Sequence, residues 1–317
     1  MSVHPSQRII GTLEGETSGA LLIVIGALHG NEPAGVKALE MVFDALERAK
    51  VEDPHFHFSG KLIGLVGNRQ AYLIRQRFLQ QDLNRCWTDV LLDNARQADT
   101  AALHAEPLEV RELYDLISNE LQHNKLDKTI ILDLHTTSAD GGLFSIPTDE
   151  GESLDLARRL GAPAILGLQA SVEGTLLGFA RKGGFTPEMP TQPTPVCVAF
   201  ESGQHNSQQA VFRAAAAIVR CMRAVGNVSS SGLLDFMEAI ALPVLSSVPP
   251  VVHFRYAHHI DAEDQFVMRP GYVNFQQITQ GEHLADDIHG PVLAPESGLI
   301  LMPLYQAKGS DGFFIVR

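Results

Sequence analysis

Ala20-Leu-Leu-Ile-Val-Ile-Gly-Ala-Leu28, followed at once by His29-Gly30-Asn31-Glu32, is the stretch on which the reading of this chain turns. The apolar run reads as a buried strand and is too short to span a bilayer. A second run, Thr129-Ile-Ile-Leu-Asp-Leu134, ends the same way, on His135 with Thr136 and Thr137 next. Two strands that each finish on a histidine, one with a glutamate three residues on, can assemble a metal site from His29, Glu32 and His135. Imidazole and carboxylate are the ligands Zn2+ takes when thiolates are not used, and a set of three leaves a position for water, the catalytic arrangement.

Working outward, strand-like and helix-like segments alternate. Glu32–Lys50 carries apolar residues at Val36, Leu39, Val42, Phe43 and Leu46, a helical period. Leu62–Val66 is a strand, Leu108–Leu121 a helix, Ile130–Leu134 a strand, Leu154–Leu160 a helix, Ala164–Leu168 and Val196–Phe200 strands, and Gln208–Val225 a helix. This alternation indicates an α/β sheet with helices on both faces. Ligand sites in such sheets lie at the carboxyl ends of strands, so His29, His135 and Glu201, each just past an expected strand end, can share one rim. After Val225 the pattern changes. Gly226–Gly232 reads as a linker and Leu233–Ile240 as a short helix. Short strands follow at Val251–Tyr256, Gln265–Val267, Gly271–Val273, Pro291–Leu293, Gly298–Met302 and Gly312–Val316. The expectation is a catalytic α/β domain over 1–225 and a linker plus β-rich C-terminal domain over 226–317.

The 317 residues are 45% hydrophobic and 19% charged, the balance of a protein with a sizeable core. A formal net charge of −13 argues against a nucleic-acid or anionic-membrane partner, since both need a basic surface. The three cysteines, Cys86, Cys197 and Cys221, have no CxxC spacing, which suits a reducing compartment and excludes a thiolate metal site. The segment Met1–Arg8 lacks the charged-then-apolar pattern of a signal peptide, so a cytoplasmic location is expected.

Four blocks occur in order: Gly26-Ala-Leu-His-Gly-Asn-Glu-Pro-Ala-Gly35, Asp82-Leu-Asn-Arg85, Asp133-Leu-His135 and Phe200-Glu-Ser-Gly203. In these the chain resembles the succinylglutamate desuccinylase/aspartoacylase family, zinc-dependent amidohydrolases on a carboxypeptidase-like α/β fold. The resemblance implies a mixed sheet flanked by helices with a smaller C-terminal all-β domain, and one Zn2+ per chain. It also implies Glu201 as the general base that takes a proton from water and protonates the leaving amine. Asn84 and Arg85 match the family pair that holds a substrate carboxylate, a task suited to the guanidinium fork. Arg77 matches, by its offset from that block, an arginine that polarises the scissile carbonyl; Arg69 and Arg75 are its competitors.

There is one departure. Family members acting on aspartate carry a further arginine shortly before the base, whereas Phe185–Pro195 has none. This puts N-acetylaspartate in doubt and leaves Arg181 or Lys182 to replace the missing group. The proline and threonine content there suggests a loop over the site. Asp133, on the same strand face as His135, is placed to orient a ligand imidazole or to bond backbone. Asp82 is expected to brace its loop, and His205 reads as a polar loop residue with a substrate contact as the alternative. His55, His57, His258, His259 and His289 are read as surface polar groups, with a second metal site in the tail as the alternative, and the resemblance implies for Tyr305 a place where the family tail can supply a substrate-facing tyrosine. Gly290–Met302 resembles the turn pattern of biotinyl-type barrels but has no lysine at its hairpin, so no covalent cofactor is expected.

The preferred function is zinc-dependent hydrolysis of the amide bond of an N-acyl amino acid or related small amide bearing a carboxylate. The alternative within the class is a metallocarboxypeptidase acting on short or modified peptides. A non-catalytic binding protein on the same fold is disfavoured because all four groups of the centre are present. The β-rich tail is a candidate oligomerisation module, so self-association is left open, as are the acyl group, the amine and the native metal.

Overall fold

The computed structural model describes residues 7–123, 128–188, 193–228, 232–239 and 248–317. The strands are β1 Ile9–Glu14, β2 Thr17–Gly26, β3 Ser59–Val66, β4 Thr129–Thr137, β5 Leu143–Pro147, β6 Ala164–Leu166, β7 Val196–Gln204 and β8 Val251–His259. They continue as β9 Val267–Met268, β10 Gln277–Ile278, β11 His283–Asp287, β12 Gly290–Leu293, β13 Gly298–Leu301 and β14 Asp311–Val316. The helices are α1 Ala34–Glu52, α2 Arg69–Leu73, α3 Asp89–Gln97, α4 Ala105–His123, α5 Glu152–Arg159, α6 Leu176–Arg181, α7 Gln208–Ala224 and α8 Gly232–Ala239.

The period-two alternation of β2 decides how the layers form. Leu22 and Val24 face one side and Leu21, Ile23 and Ile25 the other, and all five are fully buried. The first pair packs with Leu39 and Leu46 of α1 and Ile218 of α7. The second set packs with Leu113 and Ile117 of α4, Trp87, and Phe179 of α6. A strand covered on both faces must be apolar throughout, and β2, β3, β4 and β7 accordingly pair in parallel at the centre, in the order β3-β2-β4-β7.

One eleven-stranded mixed sheet runs β1-β3-β2-β4-β7-β5-β6-β8-β14-β13-β10, and a three-stranded sheet β12-β11-β9 stands beside it. The C-terminal region is antiparallel: β8, β14, β13 and β10 each pair that way with the next. It also joins the main sheet, because β6 pairs in parallel with β8.

Several expected elements differ in detail. His135 and Glu201 lie inside their strands, since β4 and β7 run on to Thr137 and Gln204. The antiparallel strands β1 and β5 are additions to the elements read from sequence. Gly271–Val273 forms no strand: Gly271 has φ +97°, and the Tyr272 N–H donates to the Tyr305 hydroxyl at 2.9 Å instead of to a ladder partner. Residues 1–6, 189–192 of the proline- and threonine-rich loop, 229–231 of the linker and Ile240 at the end of the expected short helix lie outside the described residues. No helix among the described residues is long and apolar enough to cross a membrane.

Candidate metal centre and active site

The parallel order places the carboxyl ends of β2, β4 and β7 side by side, and the candidate residues follow from that. β2 stops at Gly26. Ala27 then adopts φ 55°, left-handed backbone held in a fully buried position, and the chain turns to present His29 and Glu32. The turn is pressed against α2: a Cβ on Gly30 would sit 2.2 Å from the Ala71 carbonyl carbon, so only glycine fits. On β4, His135 pairs in register with Glu201 of β7.

His29, Glu32 and His135 are all buried, and one ligand atom from each lies within 4.8 Å of the others. His29 Nδ1 is 2.9 Å from Glu32 Oε1, and His135 Nδ1 is 3.2 Å from Glu32 Oε2. The Thr136 backbone N–H also donates to Glu32 Oε2, at 2.9 Å. The far nitrogens are equally committed. His29 Nε2 lies 3.0 Å from Asp82 Oδ1 and His135 Nε2 lies 2.8 Å from Asp133 Oδ2. An imidazole that gives its Nε2–H to a carboxylate turns its Nδ1 lone pair inward, the tautomer and orientation a metal ligand needs.

The electrostatics agree. Burial disfavours charge on both imidazoles, and Arg77 repels His29, yet Asp82 and Glu32 raise His29 above its ordinary pKa. Burial likewise opposes His135, but Asp133 and Glu32 raise it well above. Glu32 and Asp82 are held well below the usual carboxylate range despite burial, Glu32 by the two histidines and Asp82 by His29 and Arg77. The cluster thus concentrates anionic charge around one point that protons neutralise. A divalent cation held by this group would take the place of those protons. The donor set, the buried position and the carboxylate behind each imidazole all fit zinc.

Glu201 stands beside this group. Burial pushes its carboxyl up to about 7, and its Oε2 is buried with no hydrogen-bond partner among the described residues. An unpartnered carboxylate oxygen with a pKa near neutrality suits proton transfer.

Arg77 is the arginine that reaches the centre. Its Nη2 donates to Asp82 Oδ2 at 2.9 Å, and Nη1 is 3.6 Å from Glu32 Oε1. Arg69 points away, to Glu109 and Glu112 of α4, and Arg75 is exposed. Asp82 does more than brace a loop. It holds His29, fixes Arg77 and, through Oδ1, accepts the Asn84 N–H at 2.9 Å. Behind it, the buried Glu106 carboxylate accepts the N–H groups of Leu79 at 2.7 Å and Gln80 at 3.0 Å and the Asn68 side-chain amide at 3.0 Å.

His29, Glu32, Arg77, His135 and Glu201 line a cavity of about 140 Å³ together with Asn84, Arg85, Thr136, Gln306 and Asp311. Asn84 Oδ1 accepts the Leu176 N–H at 3.0 Å, which leaves its NH2 for the cavity. Gln306 and Asp311 come from the C-terminal region, where no local sequence pattern marks them. Gln306 Oε1 accepts from Asn31 Nδ2 at 3.1 Å and lies 3.2 Å from His205 Nε2; His205 Nδ1 lies 2.7 Å from the Thr136 hydroxyl. His205 therefore backs the cavity wall. Burial lowers its pKa, favouring the neutral ring.

Other candidates are placed elsewhere. Arg181 is exposed and bonded to Asp149, and Lys182 is exposed; neither lines the cavity. Tyr305 is turned away, its hydroxyl donating to the Arg269 carbonyl at 2.7 Å. Phe185 is buried among Trp87, Tyr114 and Phe179, and no described residue of its loop lines the cavity. His258 stacks on Phe313, His57 bonds Thr17, and His259 bonds Asp311.

Helices over a mixed sheet, and a buried His-Glu-His group that could hold a metal beside its parallel strands, place the chain among α/β proteins with a candidate metal site. Residues 18–204 match the succinylglutamate desuccinylase/aspartoacylase catalytic domain, more than half of the chain, and the chain belongs to that family of deacylase-type hydrolases. It is similar to a probable aspartoacylase of Nostoc sp., 25% identical over 126 residues, and to one of Acaryochloris marina, 28% identical over 127. Each match takes in 39% of this chain and 37% of the relative, so the chain matches little more than a third of those proteins' length. Among solved structures, a succinylglutamate desuccinylase/aspartoacylase from Rhodobacter sphaeroides superposes with a TM-score of 0.63 at 15% identity, covering 96% of this chain and 88% of that one. The succinylglutamate desuccinylase from Chromobacterium violaceum gives 0.61 at 18%, covering 96% and 87%. At these identities the superpositions establish the fold.

Proposed function

We propose that this chain is a zinc-dependent hydrolase that cleaves the amide bond of an N-acyl amino acid or a related small amide bearing a carboxylate. The observation that carries the reading is the β4–β7 rung on which Glu201, with its buried unpartnered oxygen, faces His135 of the His-Glu-His group. His29, Glu32 and His135 would hold the ion. Zinc bound there would supply Lewis acidity, polarising a carbonyl and making water acidic enough to attack at neutral pH.

The remaining work falls to the chain's own residues. Glu201 takes a proton from the attacking water and returns it to the leaving nitrogen, so that amide and water become a carboxylic acid and an amine. Arg77, held by Asp82 beside Glu32, stabilises the negative charge that develops on the scissile oxygen. The NH2 of Asn84 and the guanidinium of Arg85 hold the substrate carboxylate. In this reading residues 1–225 carry the catalytic groups and 226–317 close the cavity. The net charge of −13 supports a small-molecule partner over nucleic acid.

The test is amine release from N-acetyl and N-succinyl amino acids, acylated on the α- or the side-chain nitrogen, using zinc-loaded protein. Glu201→Gln is expected to lower turnover by about 10²–10⁴-fold with metal content unchanged. Near-full turnover in that variant would remove Glu201 from the mechanism. No release from any member would overturn the deacylase reading, and release of C-terminal residues from dipeptides alone would favour the carboxypeptidase.

A further inference from the structure

The cavity holds a charge that the deacylase chemistry above does not use. Asp311 opens β14 and lines the same cavity as Arg85, with its side chain 12% exposed. Its Oδ2 accepts from Arg85 Nη2 at 3.3 Å and from the Ser310 hydroxyl at 3.3 Å. Its Oδ1 accepts from His259 Nδ1 at 2.7 Å. Arg85 in turn gives Nη1 to the Asn84 carbonyl at 3.0 Å, which fixes the guanidinium at this wall.

An aspartate 3.3 Å from the arginine works against a ligand whose only charged group is a carboxylate. The incoming anion must displace Asp311 or lie beside it, and like charges at that range cost affinity. An amino acid with an uncharged side chain, acylated on its α-nitrogen, is such a ligand, because the amide nitrogen is neutral. The arrangement changes meaning if the ligand carries an ammonium next to its carboxylate. A carboxylate and an ammonium on one carbon are adjacent opposite charges, and Arg85 and Asp311 are adjacent opposite charges of the reverse order. Each then gains a charge-assisted hydrogen bond. The two walls of the cavity divide the molecule between them: the His-Glu-His end with Glu201 and Arg77 takes the amide, and the Arg85–Asp311 end takes the free amino-acid head.

We propose that Arg85 and Asp311 form a subsite for an α-amino-acid zwitterion, so that the substrate is a diamino acid acylated on its side-chain nitrogen. This rests on the deacylase reading for the fate of the amide, but the subsite itself is read by binding.

The experiment is calorimetric titration of the zinc-loaded protein and its Glu201→Gln variant with Nω-acetyl diamino acids, from diaminobutyrate to lysine. Each is paired with its des-amino analogue, the ω-acetamido carboxylic acid of equal length. The zwitterion is expected to bind at least about tenfold more tightly than its analogue. Asp311→Asn should bring the pair to parity by weakening the zwitterion alone, and Arg85→Gln should weaken both. Equal or tighter binding of the analogues to the wild-type protein overturns the proposal, as does discrimination that survives Asp311→Asn. Tighter binding of Nα-acetyl than of Nω-acetyl amino acids overturns it too. The two readings fail separately: discrimination without hydrolysis would sink the deacylase and keep the subsite, while hydrolysis without discrimination would do the reverse.

Discussion

His29 and His135 arrive at the same arrangement from different backbones. Their rings lie 5.1 Å apart, each with Nδ1 on Glu32 and Nε2 on a carboxylate. For His135 the supporting carboxylate is Asp133, two residues earlier on the same strand and therefore on the same face by the pleat alone. For His29 it is Asp82, 53 residues on, delivered by a loop that must be built separately. The local solution does one job. The remote one does three, because Asp82 also fixes Arg77 and starts the turn that carries Asn84 and Arg85. Remote support couples His29 to Arg77 and to the Asn84–Arg85 side of the cavity, and local support does not.

The largest effect should come from the group both imidazoles share. Glu32→Ala removes a ligand and leaves two buried histidines without their common partner. Metal content after dialysis should fall below stoichiometry and amine release should be lost. Chelation of the wild-type protein should do the same and also lower Tm, since a ligand that binds only the folded state stabilises it. Full metal content in Glu32→Ala would break the symmetry on which the comparison rests.

The next effect separates the two imidazoles. Asp133→Asn and Asp82→Asn should each weaken metal affinity by about 10–100-fold, the usual consequence of disturbing the carboxylate behind a ligand histidine. At saturating zinc their behaviour should part. Asp133→Asn should recover most of its kcat. Asp82→Asn should not, because Arg77 loses the acceptor of its Nε and Nη2. Equal recovery of kcat would mean that Asp82 serves the metal alone.

The same contrast explains what was legible in the sequence. His29, Glu32, His135 and Glu201 were found because each sits at or near the end of an apolar run, where periodicity and neighbours in sequence carry the information. The parallel core was legible for the same reason, since strands buried on both faces have to be continuously apolar. Strand β5 was not, because Leu143–Pro147 is a short run that follows Gly142 and ends on a proline; its place comes from pairing with β7 and β6. The further jobs of Asp82, and the presence of Gln306 and Asp311 in the cavity, are long-range facts with no local pattern. The resemblance to the family brought in Arg77, but only the ion pairs of Arg69 with α4 and the exposure of Arg75 separate it from those neighbours in space.

The smallest effect tests what delivers Asp82. Glu106 on α4 accepts the N–H groups of Leu79 and Gln80, midway between Arg77 and Asp82. Burial by itself raises the pKa of this carboxyl, but those two N–H groups and the Asn68 amide outweigh it and lower it below the ordinary value. A folded-state pKa below the unfolded one gives stability that is present above the unfolded value and is lost as pH falls through the folded one. Glu106→Gln places an NH2 against N–H donors and should cost about 1–3 kcal/mol at neutral pH. The Tm gap between the variant and the wild type should then be widest near pH 7 and narrow as pH drops below about 4. Because Glu106 acts on Asp82 only through the loop backbone, the variant at neutral pH should shift metal affinity by less than Asp82→Asn does. A Tm gap that stays constant down to acid pH would show that the Glu106 carboxylate does not hold the loop by its charge, and the remote half of the site would need another anchor.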